Sequence, residues 1–257
     1  MPSLNVRRGR RALLAILFCA LAIGSGGIPA ACGSEVPTTA VIEPTASRSV
    51  DFTTEDGVIL NGHLFGSSRS GVVLAHMYPA DQSSWYSTAG QLAREGYMVL
   101  TFDFRGYGES QGTKQFEYLD RDVVAATHQI AAAGATRVAL VGASMGGTAC
   151  LVAASRLMAA SWVSVAGVAT LSAPVEFKGL SAAEAAPRVQ APLLFIAAQD
   201  DTGADGATKL EQLVADAGDL HIVPGKDHGT DLLKGSQASA VWKLLLGFLQ
   251  HNLPAGQ

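Results

Sequence analysis

The sequence predicts an α/β fold: a mostly parallel central sheet of about eight strands, an antiparallel hairpin at its N-terminal side, and helices on both faces. Three observations carry this expectation. Short apolar, Val-rich runs alternate with stretches of helical periodicity from residue 71 onward. Glycines at Gly96 and Gly134 close two of the helical stretches. The apolar run at 138–141 drives straight into Gly142-Ala143-Ser144-Met145-Gly146 and then into a further helical pattern over 148–158.

The chain opens with Arg7, Arg8, Arg10 and Arg11, an apolar stretch at 12–23 too short to span a bilayer, and small residues around Ala30 and Ala31. This is a signal-peptide pattern, assigned to residues 1–31. The paired arginines loosely resemble a twin-arginine signal. Ile28-Pro29-Ala30-Ala31-Cys32-Gly33-Ser34 resembles the lipobox of bacterial lipoproteins, with Pro29 where Leu is usual. Cys32 is therefore the lipidation candidate, the alternative being plain cleavage after Ala31. Either way the expected location is outside the cytoplasm, as an envelope lipoprotein or a secreted protein. Residues 32–49 mix Pro, Thr, Ser and Ala and read as the anchor cysteine and a flexible linker, so that the folded domain is expected at 50–252.

Within the domain, residues 50–53 and 58–65 flank the turn signal Glu55-Asp56-Gly57, which predicts an antiparallel hairpin. A buried strand at 71–76 follows, then a helix with Trp85 and Leu92 on one face, ending at Gly96. The next strand, 97–103, leads into Arg105-Gly106-Tyr107-Gly108-Glu109-Ser110. Phe116, Leu119, Val123, Val124, Thr127 and Ile130 recur at helical spacing, so 116–133 is a helix. Beyond the Ser144 segment, strands are expected at 165–172, 193–197 and 220–223, with helices at 210–217 and 238–249. The interval from Pro174 to Pro192 is too short for a large insertion, which predicts little or no lid over an open site.

Composition bounds the function. The net charge of −4 conceals a basic leader: without the four arginines of residues 1–31, the remainder carries 14 basic against 22 acidic groups, or −8. A domain of that sign has no electrostatic reason to bind nucleic acid or anionic lipid, so membrane contact is expected only through an anchor at Cys32. Three cysteines, one inside the leader, build no disulfide framework, and Cys150 reads as a small buried hydrophobe. No His, Cys or carboxylate cluster has metal-ligand spacing, and no cofactor is called for.

The chemistry centres on Ser144. A sharp strand-to-helix turn holds such a serine in a strained conformation with its hydroxyl exposed, and the flanking Gly142 and Gly146 sit where a β-carbon would strike neighbouring backbone. The N–H of Met145, first in the helix, is aimed at a substrate carbonyl oxygen. A serine hydroxyl needs a base, and the base needs an acid to fix its tautomer. His228, in the loop after the last strand, is the base. The strand at 193–197 runs into Asp200 and Asp201, either of which is placed to be the acid. His76 reads as structural, and His63, His128, His221 and His251 as surface or packing residues.

Over residues 50–252 the chain resembles the α/β-hydrolase superfamily, and is most similar to its compact, nearly lidless bacterial esterases and dienelactone hydrolases. Three segments carry the resemblance: Gly142-Ala143-Ser144-Met145-Gly146-Gly147, Phe102-Asp103-Phe104-Arg105-Gly106-Tyr107-Gly108-Glu109-Ser110, and His228. It implies Asp201 as triad acid with Asp200 as the alternative, since Ala198-Gln199-Asp200-Asp201 stands where that family has Gly-x-x-Asp. It also implies Tyr78 as the second oxyanion N–H. In His76-Met77-Tyr78, Met77 replaces a Gly whose positive φ Met does not take cheaply. The implied activity is ester hydrolysis on small or medium acyl groups through a covalent acyl-enzyme. The alternatives are a thioesterase, peptidase or acyltransferase using the same triad, or a non-catalytic envelope binding lipoprotein. Relatives that use a carboxylate nucleophile are set aside by Ser144.

Overall fold

The structure, a computed structural model, describes residues 46–158, 163–214 and 218–256. The signal peptide, Cys32 and nearly all of the linker lie outside the described residues. Strands β1 (Ser47–Thr53) and β2 (Ile59–Phe65) pair antiparallel around the Glu55-Asp56-Gly57 turn, with Ser47 opposite Phe65 and Thr53 opposite Ile59. Residues β3 (Ser70–Ala75), β4 (Met98–Phe102), β5 (Arg137–Ala143) and β6 (Ser164–Leu171) follow, then a minor two-stranded hairpin of β7 (Glu176–Phe177) and β8 (Leu180–Ser181), and finally β9 (Leu193–Ala198) and β10 (Gly218–Val223). Eight of these form one sheet in the order β1-β2-β4-β3-β5-β6-β9-β10. From β4 to β10 every neighbouring pair is parallel, while β2 meets β4 antiparallel with Phe65 opposite Val99. The α/β-hydrolase architecture expected from the sequence is the one observed.

The period-two alternation of the central strands decides which helices cover which face. Val73, Leu100, Leu140 and Val168 face one side, against α2 (Leu119–Ala132), α3 (Met145–Leu157) and α5 (Gly203–Leu213). Val72, Leu74, Val99, Val141 and Ile196 face the other, against α1 (Tyr86–Arg94) and α6 (Ala238–Asn252). Strands buried on both faces must be continuously apolar, which is why β3, β4 and β9 are buried at every position. Truncating a fully buried side chain such as Leu140 to Ala removes about 2–5 kcal/mol from such a core. Among the described residues no helix is long and apolar enough to cross a membrane.

Two of the expected helices differ from the sequence reading. The first turn of the 116–133 helix is a 3-10 turn, Phe116–Tyr118, before α2 begins. Helix α5 starts at Gly203, seven residues before the expected 210, because Gly203 and Gly206 serve packing: a β-carbon on either would lie within 2.6–2.7 Å of Ser172 or Ala173. The end of that expected helix, 215–217, lies outside the described residues. In the 174–192 interval the expected absence of a large lid is met by β7, β8 and the single-turn α4 (Ala182–Ala185).

Candidate active site

Ser144 is the hinge between β5 and α3 and is strained there: φ is +47° and ψ −117°, a conformation that non-glycine residues rarely adopt. The glycines around it have no room for a side chain. A β-carbon on Gly142 would stand 2.3 Å from the Gly146 carbonyl oxygen, and one on Gly146 would stand 2.4 Å from that of Ala75. The Ser144 N–H donates to Leu171 O on β6 at 2.7 Å, while its carbonyl accepts from Gly147 and Thr148 at 2.8 and 3.2 Å to start α3. Met145, first residue of that helix, has no intrahelical acceptor for its N–H. Ser144 keeps 8 % of its surface exposed.

The other two chemically competent side chains lie past the ends of β9 and β10, on the same rim. His228 Nδ1 donates to the Asp201 carboxylate, 2.8 Å from Oδ1 and 3.0 Å from Oδ2. The Asp201 side chain is 5 % exposed and that of His228 is 37 %, so the carboxylate is enclosed and the imidazole open to an incoming molecule. Asp200, the alternative acid, is exposed, and its backbone N–H closes the loop onto Gly225 O at 2.8 Å. The geometry therefore brings His228 to Asp201 and not to Asp200.

The loop after β3 is anchored by His76, which is wholly buried. Its Nε2 accepts from Phe104 N–H at 3.1 Å and its Nδ1 donates to Met77 O at 3.0 Å, an arrangement that requires the neutral ring. Burial lowers its pKa in the same sense. Met77 is not among the described non-glycine residues with positive φ, which are Ser144, Ser172 and Lys178. The loop is thus built without the conformation that Gly would supply, and the Met77 side chain instead fills the space beside Gly229, where a β-carbon would lie 2.5 Å from its Sδ. Thr230 Oγ1 donates to the same sulfur at 3.8 Å.

Tyr78 follows with 46 % of its surface exposed. Its ring meets Phe116 edge-on at 6.0 Å and Phe177 at 6.4 Å, and Lys178 Nζ lies 4.7 Å above it. The small β7–β8 hairpin therefore reaches the loop that carries Tyr78. Tyr107, largely buried against His76, has its hydroxyl 4.0 Å from Met145 Sδ, and burial pushes its pKa up to about 12 with a contribution from Tyr78.

Sequence reasoning missed the polar supports beneath the site. Arg105, with a fully buried side chain, donates from N, Nε and Nη2 to Asp122 at 2.7–2.9 Å and from its guanidinium to Asp56 at 2.8 and 3.0 Å. Arg121 and Arg156 also reach the Glu55-Asp56 turn, tying the N-terminal hairpin to α2 and α3. Asp103 accepts from Gln82 N, Gln82 Nε2 and Glu109 N, holding the loops after β3 and β4 together. The signal for these was the stretch from Asp103 to Ser110, which the sequence presents as a motif without showing its partners.

A sequence profile described as the alpha/beta hydrolase fold matches residues 72–217, more than half of the chain. The chain belongs to the α/β-hydrolase family. Among its relatives by sequence, the uncharacterized protein Rv2307c of Mycobacterium tuberculosis is 29% identical over 223 residues, covering 78% of this chain and 79% of that protein. YfhR of Escherichia coli K12, also uncharacterized, is 29% identical over 115 residues, 41% of this chain and 40% of its own length. Among solved structures, this α/β-hydrolase superposes on the Pyrococcus furiosus esterase Pf2001 with a TM-score of 0.70 at 19% identity, over 81% of this chain and 92% of that one. The α/β-hydrolase GrgF from Penicillium sp. sh18 gives 0.70 at 16% identity, over 81% and 99%. At such identities the likeness is one of fold.

Proposed function

We propose that this α/β-hydrolase is a serine hydrolase that cleaves carboxylic esters of small or medium acyl groups, with Ser144 as nucleophile, His228 as base and Asp201 as the acid that orients it. The observation that carries the reading is the His228–Asp201 hydrogen bond on the rim where a strained Ser144 turns into α3. Asp201 keeps the proton of the neutral imidazole on Nδ1, which leaves Nε2 free to accept one. Ser144 Oγ attacks the ester carbonyl carbon as His228 takes its proton. The N–H groups of Met145 and Tyr78 donate to the oxyanion, each worth on the order of 3 kcal/mol of transition-state stabilisation. Collapse of the tetrahedral species expels the alcohol, protonated by His228, and leaves an acyl group on Ser144. Water, deprotonated by the same histidine, then releases the acid. Small-ester turnover fits the absence of a large insertion between β6 and β9 and the aromatic pair of exposed Tyr78 and half-buried Phe116. The leader and Cys32 support a place in the cell envelope, lipid-anchored or secreted.

The test is a fluorophosphonate probe on the purified protein beside Ser144→Ala, with the adduct located by mass spectrometry. Labelling of Ser144 that disappears in the variant, together with turnover of p-nitrophenyl butyrate, is the expected result. A folded protein that leaves the probe unreacted overturns the assignment. Thioester, amide and acyl-acceptor substrates run in parallel identify the bond preferred.

A further inference from the structure

Leu171 at the end of β6 and the three residues beyond it, Ser172-Ala173-Pro174, touch the segments that bear Ser144, Asp201 and His228. Leu171 O accepts from Ser144 N–H at 2.7 Å, and Pro174 O accepts from Thr148 Oγ1 of α3 at 2.8 Å. Ser172 N–H donates to Ile196 O at 2.8 Å, fixing the end of β9 just before the Asp201 loop. Gly203, two residues past Asp201, lies so close that a β-carbon there would stand 2.6 Å from Ser172 Cβ and 2.8 Å from Asp201 Oδ2. On the third side the Ser172 hydroxyl oxygen accepts from Gly229 N–H at 3.2 Å, the residue immediately after His228.

Two properties of Ser172 go beyond ordinary packing. It is 1 % exposed, so its hydroxyl serves the interior. It also holds φ at +57°, a left-handed conformation that a non-glycine residue takes at a cost of about 1 kcal/mol or more, and Gly would take at none. At this position serine supplies what glycine would not, a hydroxyl oxygen on the Gly229 N–H. Gly229 sits between that hydroxyl and the Met77 sulfur, so the loop carrying His228 is gripped from both sides.

From this we infer that Ser172 is a positioning residue for His228: through the Gly229 N–H it sets the height of the imidazole relative to Ser144 while its backbone registers the Asp201 loop against the same point. The inference rests on the triad reading proposed above. It assigns Ser172 no contact with the substrate and no proton transfer.

Three variants separate the hydroxyl from the backbone. Ser172→Gly removes the acceptor and relieves the strain, Ser172→Ala removes the acceptor and keeps the strain, and Ser172→Cys keeps a weak acceptor of similar shape. The expected result for Ser172→Gly is a melting temperature no lower than that of the parent, KM for p-nitrophenyl butyrate within about twofold, and kcat reduced 10-fold or more. Ser172→Cys is expected to lie between Ser172→Gly and the parent. Two further readouts isolate positioning: faster hydrogen exchange of the Gly229 amide, which needs no substrate, and a displaced acidic limb in the pH profile of kcat. Parent-like kcat, pH profile and Gly229 exchange in folded Ser172→Gly overturn the inference. Loss of kcat only in proportion to loss of folded protein in both Ser172→Gly and Ser172→Cys overturns it too, by reducing Ser172 to a structural residue. A parent protein without turnover or Ser144 labelling is the separate failure of the triad reading, and the Gly229 exchange still reports whether Ser172 holds the loop.

Discussion

Replacing Asp201 by Asn changes one atom at an enclosed point of the proposed triad, with two consequences for His228. The carboxylate lies 2.8 Å from His228 Nδ1 with 5 % of its side chain exposed. At an effective dielectric constant of about 20, a carboxylate at that distance stabilises the imidazolium of the proposed mechanism by roughly 6 kcal/mol. An Asn amide in its place donates to Nδ1 and moves the ring proton to Nε2, which can then no longer accept from Ser144. That tautomer error lowers kcat by about 10⁴ in serine hydrolases with this arrangement, equal to about 5.4 kcal/mol at 1.36 kcal/mol per decade. The two figures agree, so Asp201→Asn should lose about four decades of kcat on p-nitrophenyl butyrate with KM little changed. Asp200→Asn, at an exposed side chain whose residue contributes a backbone hydrogen bond, should stay within about twofold. Both proteins should show the parent's circular dichroism. An Asp201→Asn enzyme within tenfold of the parent, or a collapse of activity in Asp200→Asn in its place, refutes the reasoning.

Two predictions concern the polar support below the site. Arg105→Met leaves the Asp122 carboxylate buried without its partner and should destabilise the protein by about 3–5 kcal/mol, or roughly 6–20 °C in melting temperature for a domain of this size. Adding Asp122→Leu to Arg105→Met should recover much of that loss, measured by urea or thermal unfolding. The same cluster sets the acid limit. Hydrogen bonds from Arg105 hold Asp56 well below the usual carboxylate range, so its stabilisation is complete above about pH 4, where the unfolded chain titrates, and is lost as pH falls further. Asp122 has the opposite sign: burial raises it to about 6, the fold takes up its proton first, and acidification from 6 to 4 does not destabilise through this group. Unfolding driven by this cluster should therefore set in below pH 4, and Asp56→Asn should flatten that acid dependence in an equilibrium denaturation series.

What could be read from the chain follows physical range. Sheet, helices and the Ser144 turn are written in local patterns, since burial on both faces forces continuous apolar strands and a tight strand-to-helix turn forces Gly142 and Gly146. The Gly203 start of α5 was not legible, because its glycines answer to Ser172 and Ala173, some thirty residues earlier in sequence, rather than to helix propensity. Asp200 and Asp201 are neighbours with the same chemistry, and only the loop closed by Asp200 N–H onto Gly225 O turns one outward and the other toward His228. Met77 read as a departure at a position that favours Gly. Its role lies in a contact with Gly229, about 150 residues away, which no local pattern encodes. Arg105 was visible as a motif residue, but its partners Asp56 and Asp122 come from a hairpin turn and a helix on either side of it.

The pairing of the two outer strands also fixes where the folded body can be held. Ser47 stands opposite Phe65, and Phe65 opposite Val99 near the start of β4, so the chain enters at the end of the sheet remote from the rim that carries Ser144 and His228. The other terminus leaves by the same side, where Ser70 Oγ at the start of β3 donates to Pro254 O. Whatever the domain is fastened to through either terminus, surface, resin or fusion partner, grips it from behind. Protein immobilised through either end should therefore turn over substrate as freely as protein in solution.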